Sequence, residues 1–235
     1  VLTATDVHSP FYYYYVKSVS QLCLAVFPGA NRVIIGKLCS VLPLLGLAAY
    51  AVTKVKKHFG WLCAGLFLFC VIAMPNLPQY TVEIRMYTLA MFLVTAAFLH
   101  GYEILCGLVQ PDRNNAKDEL GQKEKKGNAG DWIFLAVYGV MAAYTHYFAA
   151  VAVAMVYLFL LVFIIGKGNT IRKNGIKSWL LCVFCSVLAY MPWMFVVIRQ
   201  VAQVKESYWI LPLTWRTFGT CVKFLMKPPF GSSVF

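Results

Sequence analysis

Apolar residues run through this chain in long blocks, and short polar breaks between the blocks set the elements. Residues 33–53, 61–75, 86–106 and 178–198 read as membrane-spanning helices, because roughly 20 apolar residues cross a hydrocarbon core of about 30 Å. Residues 11–27 carry Lys17, Ser18 and Gln21 on one side and Val16, Val19, Leu22, Cys23 and Val26 on the other. That pattern predicts an interfacial helix rather than a span. Residues 76–85 form a short polar link. A linker over 107–131, mixed in charge and rich in Lys, Asn and Gly from residue 110, has no apolar period and cannot form a packed core.

The block 132–165 is too long for one crossing. At about 1.5 Å per residue it would extend near 50 Å as a single helix. Its one polar interruption is Tyr144-Thr145-His146-Tyr147, so we divide it into two short spans that turn at His146. Charge supports the division. Two spans place Lys167, Arg172, Lys173 and Lys177 on the side that holds Lys54, Lys56, Lys57 and the lysine-rich linker, and basic loops favour the cytoplasmic side. The expectation is an all-α polytopic membrane protein. Its six transmembrane helices lie within 33–198, the linker is cytoplasmic, and residues 1–32, 76–85, 144–148 and 199–235 are outer-face loops and interfacial helices. The last span is expected to kink or break at Pro192.

Composition strengthens this picture. Of 235 residues, 60% are hydrophobic and 13% charged, with a mean hydropathy of +0.68. Soluble domains are about 45–50% apolar. The net charge of +12 is gathered in the loops, and Asp112, Asp118, Glu119 and Glu124 dilute the basic linker. It lacks the basic face with stacking aromatics that nucleic-acid binding needs. Most of the eight cysteines lie inside apolar blocks and read as small hydrophobes in a buried seam, Cys182-x-x-Cys185 included. The chain opens on Val1 in the middle of a loop, so one helix or more is expected before it.

The polar groups that break the apolar pattern fall on the expected outer face. Asp6 and His8 sit just before Pro10 and a run of four tyrosines, residues suited to a bilayer edge. Asp6 either caps a loop turn or accepts a proton at the rim of a cavity. Glu83 and Tyr87 would share a helical face, whereas a direct Glu83–Arg85 bridge requires non-helical backbone. That pair either ends a span by snorkelling or aims a guanidinium at an anionic group, a geometry suited to phosphate oxygens. His146 is a satisfied polar residue at a turn, or a member of the same group. Two imidazoles, His8 and His146, with Asp6 or Glu83 could hold a divalent metal, although they lie on separate segments.

These stretches carry a family resemblance. Asp6-Val7-His8-Ser9-Pro10-Phe11-Tyr12-Tyr13 resembles the D-x-H-P-P-L-Y-Y stretch of polytopic glycosyltransferases of the GT-C class, the family-39, protein-mannosyltransferase-like and aminoarabinose-transferase-like enzymes. Glu83-Ile84-Arg85-Met86-Tyr87-Thr88-Leu89-Ala90 is similar to their E-A-R-M-Y-A-L-A, and Tyr144-Thr145-His146-Tyr147-Phe148 to their Y-T-H-Y-F. Met191-Pro192-Trp193 followed by Arg199-Gln200 resembles their L-P-W…R-Q. The four motifs stand in the family's order across most of residues 5–210. Ser9 departs from the pattern by replacing the first proline.

The resemblance implies a GT-C-like helical bundle at the cell membrane, with its active site on the extracytoplasmic face. It implies sugar transfer from a polyprenyl-phosphate carrier to a lipid, glycan or protein acceptor. His8, Arg85, His146 and Tyr87 would bind the donor phosphate. Asp6 and Glu83 would be the catalytic carboxylates, Glu83 by orienting Arg85 or a metal. The family's main catalytic acid would lie upstream of Val1. Two rival readings are a transporter or flippase for an anionic lipid and a non-catalytic membrane scaffold. The first would show broken helices in two related halves, and the sequence has no internal repeat.

Overall fold

The computed structural model describes residues 10–74, 77–109, 129–206 and 214–225. These form nine α-helices and no strand. They are α1 Phe11–Val26, α2 Arg32–Tyr50, α3 Lys56–Ile72, α4 Leu77–Val82, α5 Tyr87–Val109, α6 Ala129–Ala143, α7 Tyr147–Ile165, α8 Asn169–Glu206 and α9 Trp215–Leu225. Four stretches are long and apolar enough to cross a membrane: Arg32–Ile72, Tyr87–Val109, Tyr147–Ile165 and Lys173–Gln200. That is the architecture of a helical membrane protein. Helix α6 is apolar but has only 15 residues, about 22 Å of rise. The described residues fall into two compact units. One holds those up to Tyr13 together with Leu89–Phe195, and the other holds Tyr14–Thr88 and the described residues from Val196 onward.

In the second unit the expected loop at Lys54–His58 is helical. A π-helical turn, Ala51–Val55, joins α2 to α3, and the Thr53 hydroxyl donates to the Ala49 carbonyl at 2.6 Å within it. The backbone breaks further on, at Gly60, with φ 82° and ψ 175°. Only glycine takes that conformation without strain. Lys56 lies across the break with its Nζ 3.9 Å from the centre of the Trp61 ring. The link expected over 76–85 contains the short helix α4, and among its described residues those from 83 to 85 are non-helical.

Pro43 lies inside α2. Proline has no N–H, so the carbonyl four residues back loses its helical donor. That carbonyl belongs to Cys39, and the Tyr15 hydroxyl of α1 donates to it at 3.1 Å. The same face of α2 buries Gly36, Cys39, Ser40, Pro43 and Leu47, a stripe of mostly small side chains at helical spacing.

In the first unit the block 132–165 divides where its polar quartet falls. Helix α6 ends at Ala143, Thr145 is fully buried with its hydroxyl donating to the Met141 carbonyl, and His146 caps α7. The His146 backbone is extended, φ −157° and ψ 137°, and its Nδ1 accepts from the Phe148 amide at 3.2 Å. A cap of this kind satisfies an amide the helix leaves open. The two helices run antiparallel. Gly139 and Val153, equally far from His146 in sequence, meet so closely that a Cβ at 139 would lie 3.0 Å from Val153 Cγ1.

Helix α8 continues through Pro192 to Glu206, so residues 199–206, expected as loop, are helical. The proline loosens the carbonyls of the preceding turn, and the Tyr144 hydroxyl donates to one of them, that of Ala189, at 2.9 Å. Helices α7 and α8 are joined by a Tyr157–Ser186 hydroxyl pair at 2.8 Å and by Trp179 Nε1 donating to the Tyr157 carbonyl at 2.9 Å.

A buried ion-pairing contact ties α5 to α6. His100 Nδ1 lies 2.7 Å from Asp131 Oδ1, with the two side chains 5% and 11% exposed. The imidazole stacks on Phe134 and Tyr138, with ring centres at 4.9 Å and 5.7 Å. Asp131 stands in the first turn of α6, where the helix dipole favours a carboxylate.

Two outcomes follow from these contacts. Replacing one member of a buried hydrogen-bonded pair removes a partner from the other, which costs about 1–3 kcal/mol. His100→Leu should therefore lower the thermal midpoint in detergent markedly, and the His100→Leu, Asp131→Leu double variant should recover much of the loss. Tyr15→Phe removes a hydrogen bond worth about 0.5–1.5 kcal/mol. The loss should shrink in a Pro43→Ala background, where residue 43 again donates to Cys39. Equal losses in both backgrounds would show that Tyr15 does not compensate for the proline.

Candidate functional site

The polar cluster best defined in this structure is at the start of α5. Residues 83–86 leave the helix between α4 and α5, and α2 determines their path. The Ser40 hydroxyl, fully buried on α2, donates to the Glu83 carbonyl at 2.7 Å. Ile84 presses on Gly36 so closely that a Cβ there would stand 2.6 Å from its Cδ1. The small residues of α2 thus admit the segment and hold it by a backbone contact.

That path brings Glu83 and Arg85 together. Arg85 Nε lies 3.2 Å from Glu83 Oε2, the bridge that the sequence allows only with non-helical backbone. The other carboxylate oxygen, Oε1, accepts from Gln79 Nε2 at 2.7 Å, so both oxygens of Glu83 are engaged. The Tyr87 hydroxyl bonds to the Arg85 side chain and, ahead of the Glu83 charge, holds the guanidinium above its already high ordinary value. Tyr87 in turn packs on Tyr80, ring centres 4.7 Å apart. Despite these partners the Arg85 side chain is 58% exposed. The result is a permanent cation, oriented from one side by a carboxylate and a phenol and open on the other. Just inside α5, Thr88 is 1% exposed and its hydroxyl has no hydrogen-bond partner.

Of the residues singled out from sequence, Glu83, Arg85 and Tyr87 stand together in the second unit. His146 stands in the first, as the cap of α7. Asp6 and His8 lie outside the described residues. The first turn of α1, which follows them, is held at the His146 turn, where the Phe11 amide donates to the Tyr144 carbonyl at 3.0 Å. Tyr144 also packs against Tyr190 and Trp193, at 5.1 Å and 6.3 Å. Arg199 is exposed and Gln200 buried on α8. Among the described residues no three His, Cys, Asp or Glu side chains are grouped to hold a metal ion.

The buried His100–Asp131 pair escaped the sequence reading. The signal for it was present: a lone histidine deep in an apolar block and an aspartate at the edge of the next. Charges at membrane depth point to function or to a paired structural role, and here the pairing accounts for both residues.

No protein-family model, curated protein sequence or solved structure matches this chain. The functional argument therefore rests on its own residues.

The path of residues 83–86 depends on the small face of α2. Gly36→Leu should displace Ile84 and, through it, Glu83 and Arg85. Overpacking of this kind costs about 1–3 kcal/mol, so the protein should remain folded. The check is Arg85 accessibility to a guanidinium-modifying dicarbonyl in the Gly36→Leu variant, normalised to the unmodified chain. A reaction rate equal to that of the parent would mean that α2 does not set the position of Arg85.

Proposed function

We propose that this chain is a multi-pass membrane glycosyltransferase of the GT-C kind, moving a sugar from a polyprenyl-phosphate carrier to an acceptor hydroxyl at the outer face of the membrane. The observation that carries the reading is Arg85, held by Glu83 and Tyr87 yet more than half exposed at the head of an apolar helix. An anchored guanidinium with open donors suits a phosphate at a bilayer boundary. The donor's lipid tail explains why the cation stands beside a span.

In the proposed reaction the acceptor oxygen attacks the anomeric carbon and the bond from that carbon to the phosphate oxygen breaks. The acceptor's proton passes to a carboxylate base, and polyprenyl phosphate leaves with the bonding electrons. Negative charge grows on the leaving phosphate, so a fixed cation stabilises the transition state more than the ground state. Arg85 supplies that cation, with Tyr87 beside it; for His8 and His146 the phosphate-binding role is proposed from the motif resemblance alone. Glu83 orients Arg85. Because Glu83 is held in the ion pair with Arg85, the acceptor's proton is assigned to Asp6.

The polar groups at α5 also fit an anionic-lipid transporter, the second reading. The two differ in product. Full-length protein in liposomes should release free polyprenyl phosphate and glycosylated acceptor from a polyprenyl-phosphate-sugar donor. Arg85→Ala should lower that rate about 10²–10³-fold, the usual effect of removing one preorganised charge-stabilising donor, and Arg85→Lys should retain an intermediate rate. Donor movement between leaflets without sugar release would favour transport. Undiminished transfer by an Arg85→Ala, His8→Ala double variant would remove the enzymatic assignment of both residues.

A further inference from the structure

Helix α9, Trp215–Leu225, plays no part in the reading above, and its exposed surface is unlike that of a helix packed on its own protein. Trp215 is 90% exposed, Phe218 62% and Val222 41%. At 100° per residue these three fall within about 60° of one another on the helix surface. Arg216, Thr220 and Lys223, all exposed, occupy a second sector of similar width, centred about 140° away. The helix is well started. Thr214 Oγ1 accepts from the Thr217 amide at 3.2 Å while Thr217 Oγ1 accepts from the Thr214 amide at 3.4 Å, a reciprocal cap that satisfies two open donors.

We propose that α9 lies in the plane of the bilayer surface, with Trp215, Phe218 and Val222 at the boundary between headgroups and acyl chains and with Arg216 and Lys223 on anionic lipid headgroups. Three observations select a lipid surface over a protein partner. The apolar stripe is led by an almost fully exposed tryptophan, the side chain best suited to an interface with one dry side and one wet side. The flanking charges are both basic, the complement of anionic headgroups. The helix is also tethered beside a membrane, because only a short connection in sequence separates its first residue from Glu206 at the end of α8, whose stretch Lys173–Gln200 is long and apolar enough to cross. The inference does not depend on sugar transfer, and would hold equally for a transporter.

The test uses the full chain in lipid nanodiscs of phosphatidylcholine, with and without phosphatidylglycerol. Dansylalanine is placed singly at positions 216, 218, 220 and 222, which avoids the native cysteines. Probes at 218 and 222 should emit at shorter wavelength and be quenched by lipids brominated on the acyl chain, whereas probes at 216 and 220 should not. Phosphatidylglycerol should increase the quenching at 218. Arg216→Glu with Lys223→Glu should abolish that increase, while size-exclusion profile and helical circular dichroism remain those of the parent. Water-like emission at all four positions would overturn the proposal. So would a blue shift at 218 and 222 without quenching, which would mean that protein covers the stripe. Quenching at 218 that ignores both phosphatidylglycerol and the charge reversal would overturn the headgroup contact.

Discussion

A backbone carbonyl without a donor is costly in hydrocarbon, where no water is available to replace the missing partner. The chain carries two prolines inside apolar helices, and each removes a donor. At Pro43 a tyrosine from another helix supplies one, Tyr15 to the Cys39 carbonyl; near Pro192 the Tyr144 hydroxyl bonds to the adjacent carbonyl of Ala189. Each of these tyrosines also anchors a segment close to a residue of interest. Tyr15 fixes α1 on α2, and Tyr144 fixes the turn that ends in His146. At both prolines the helix is thus tied to another segment by a tyrosine hydroxyl.

The same economy governs the departures from helix. The segment 83–86 gives up helical bonds, and it regains one from Ser40 on a fully buried face of α2. The freed geometry lets side chains two positions apart meet, and the Glu83–Arg85 bridge results. At the other end of the argument, His146 leaves the helix in order to cap one. Its Nδ1 accepts from the α7 backbone, so the cap fixes the orientation of the imidazole.

Much of this was legible in sequence, for a definite reason. A polar quartet in an otherwise unbroken apolar block marks a turn even without glycine or proline, since Thr145 and His146 can satisfy backbone groups with their own side chains. The Glu83–Arg85 spacing likewise stated its own backbone requirement. The reading failed where tertiary contacts decide. Lysines 54, 56 and 57 suggested a loop, but long cationic side chains can extend from a helix to find polar surroundings, and the backbone breaks instead at Gly60. Pro192 suggested a kink or break, but α8 continues through it. His100 and Asp131 are separated by a linker, so no local pattern could pair them.

The placement of Glu83 bears on how the proposed chemistry is divided. A general base needs an oxygen free to meet the acceptor's proton at hydrogen-bonding distance. Glu83 has one oxygen on Gln79 and the other in the ion pair with Arg85, and taking a proton would remove the charge that positions the cation. The two tasks conflict at a single carboxylate, because the cation is needed most at the moment the proton moves. Separating them between two acids removes the conflict: Glu83 orients the cation, and a second carboxylate, proposed as Asp6, takes the proton.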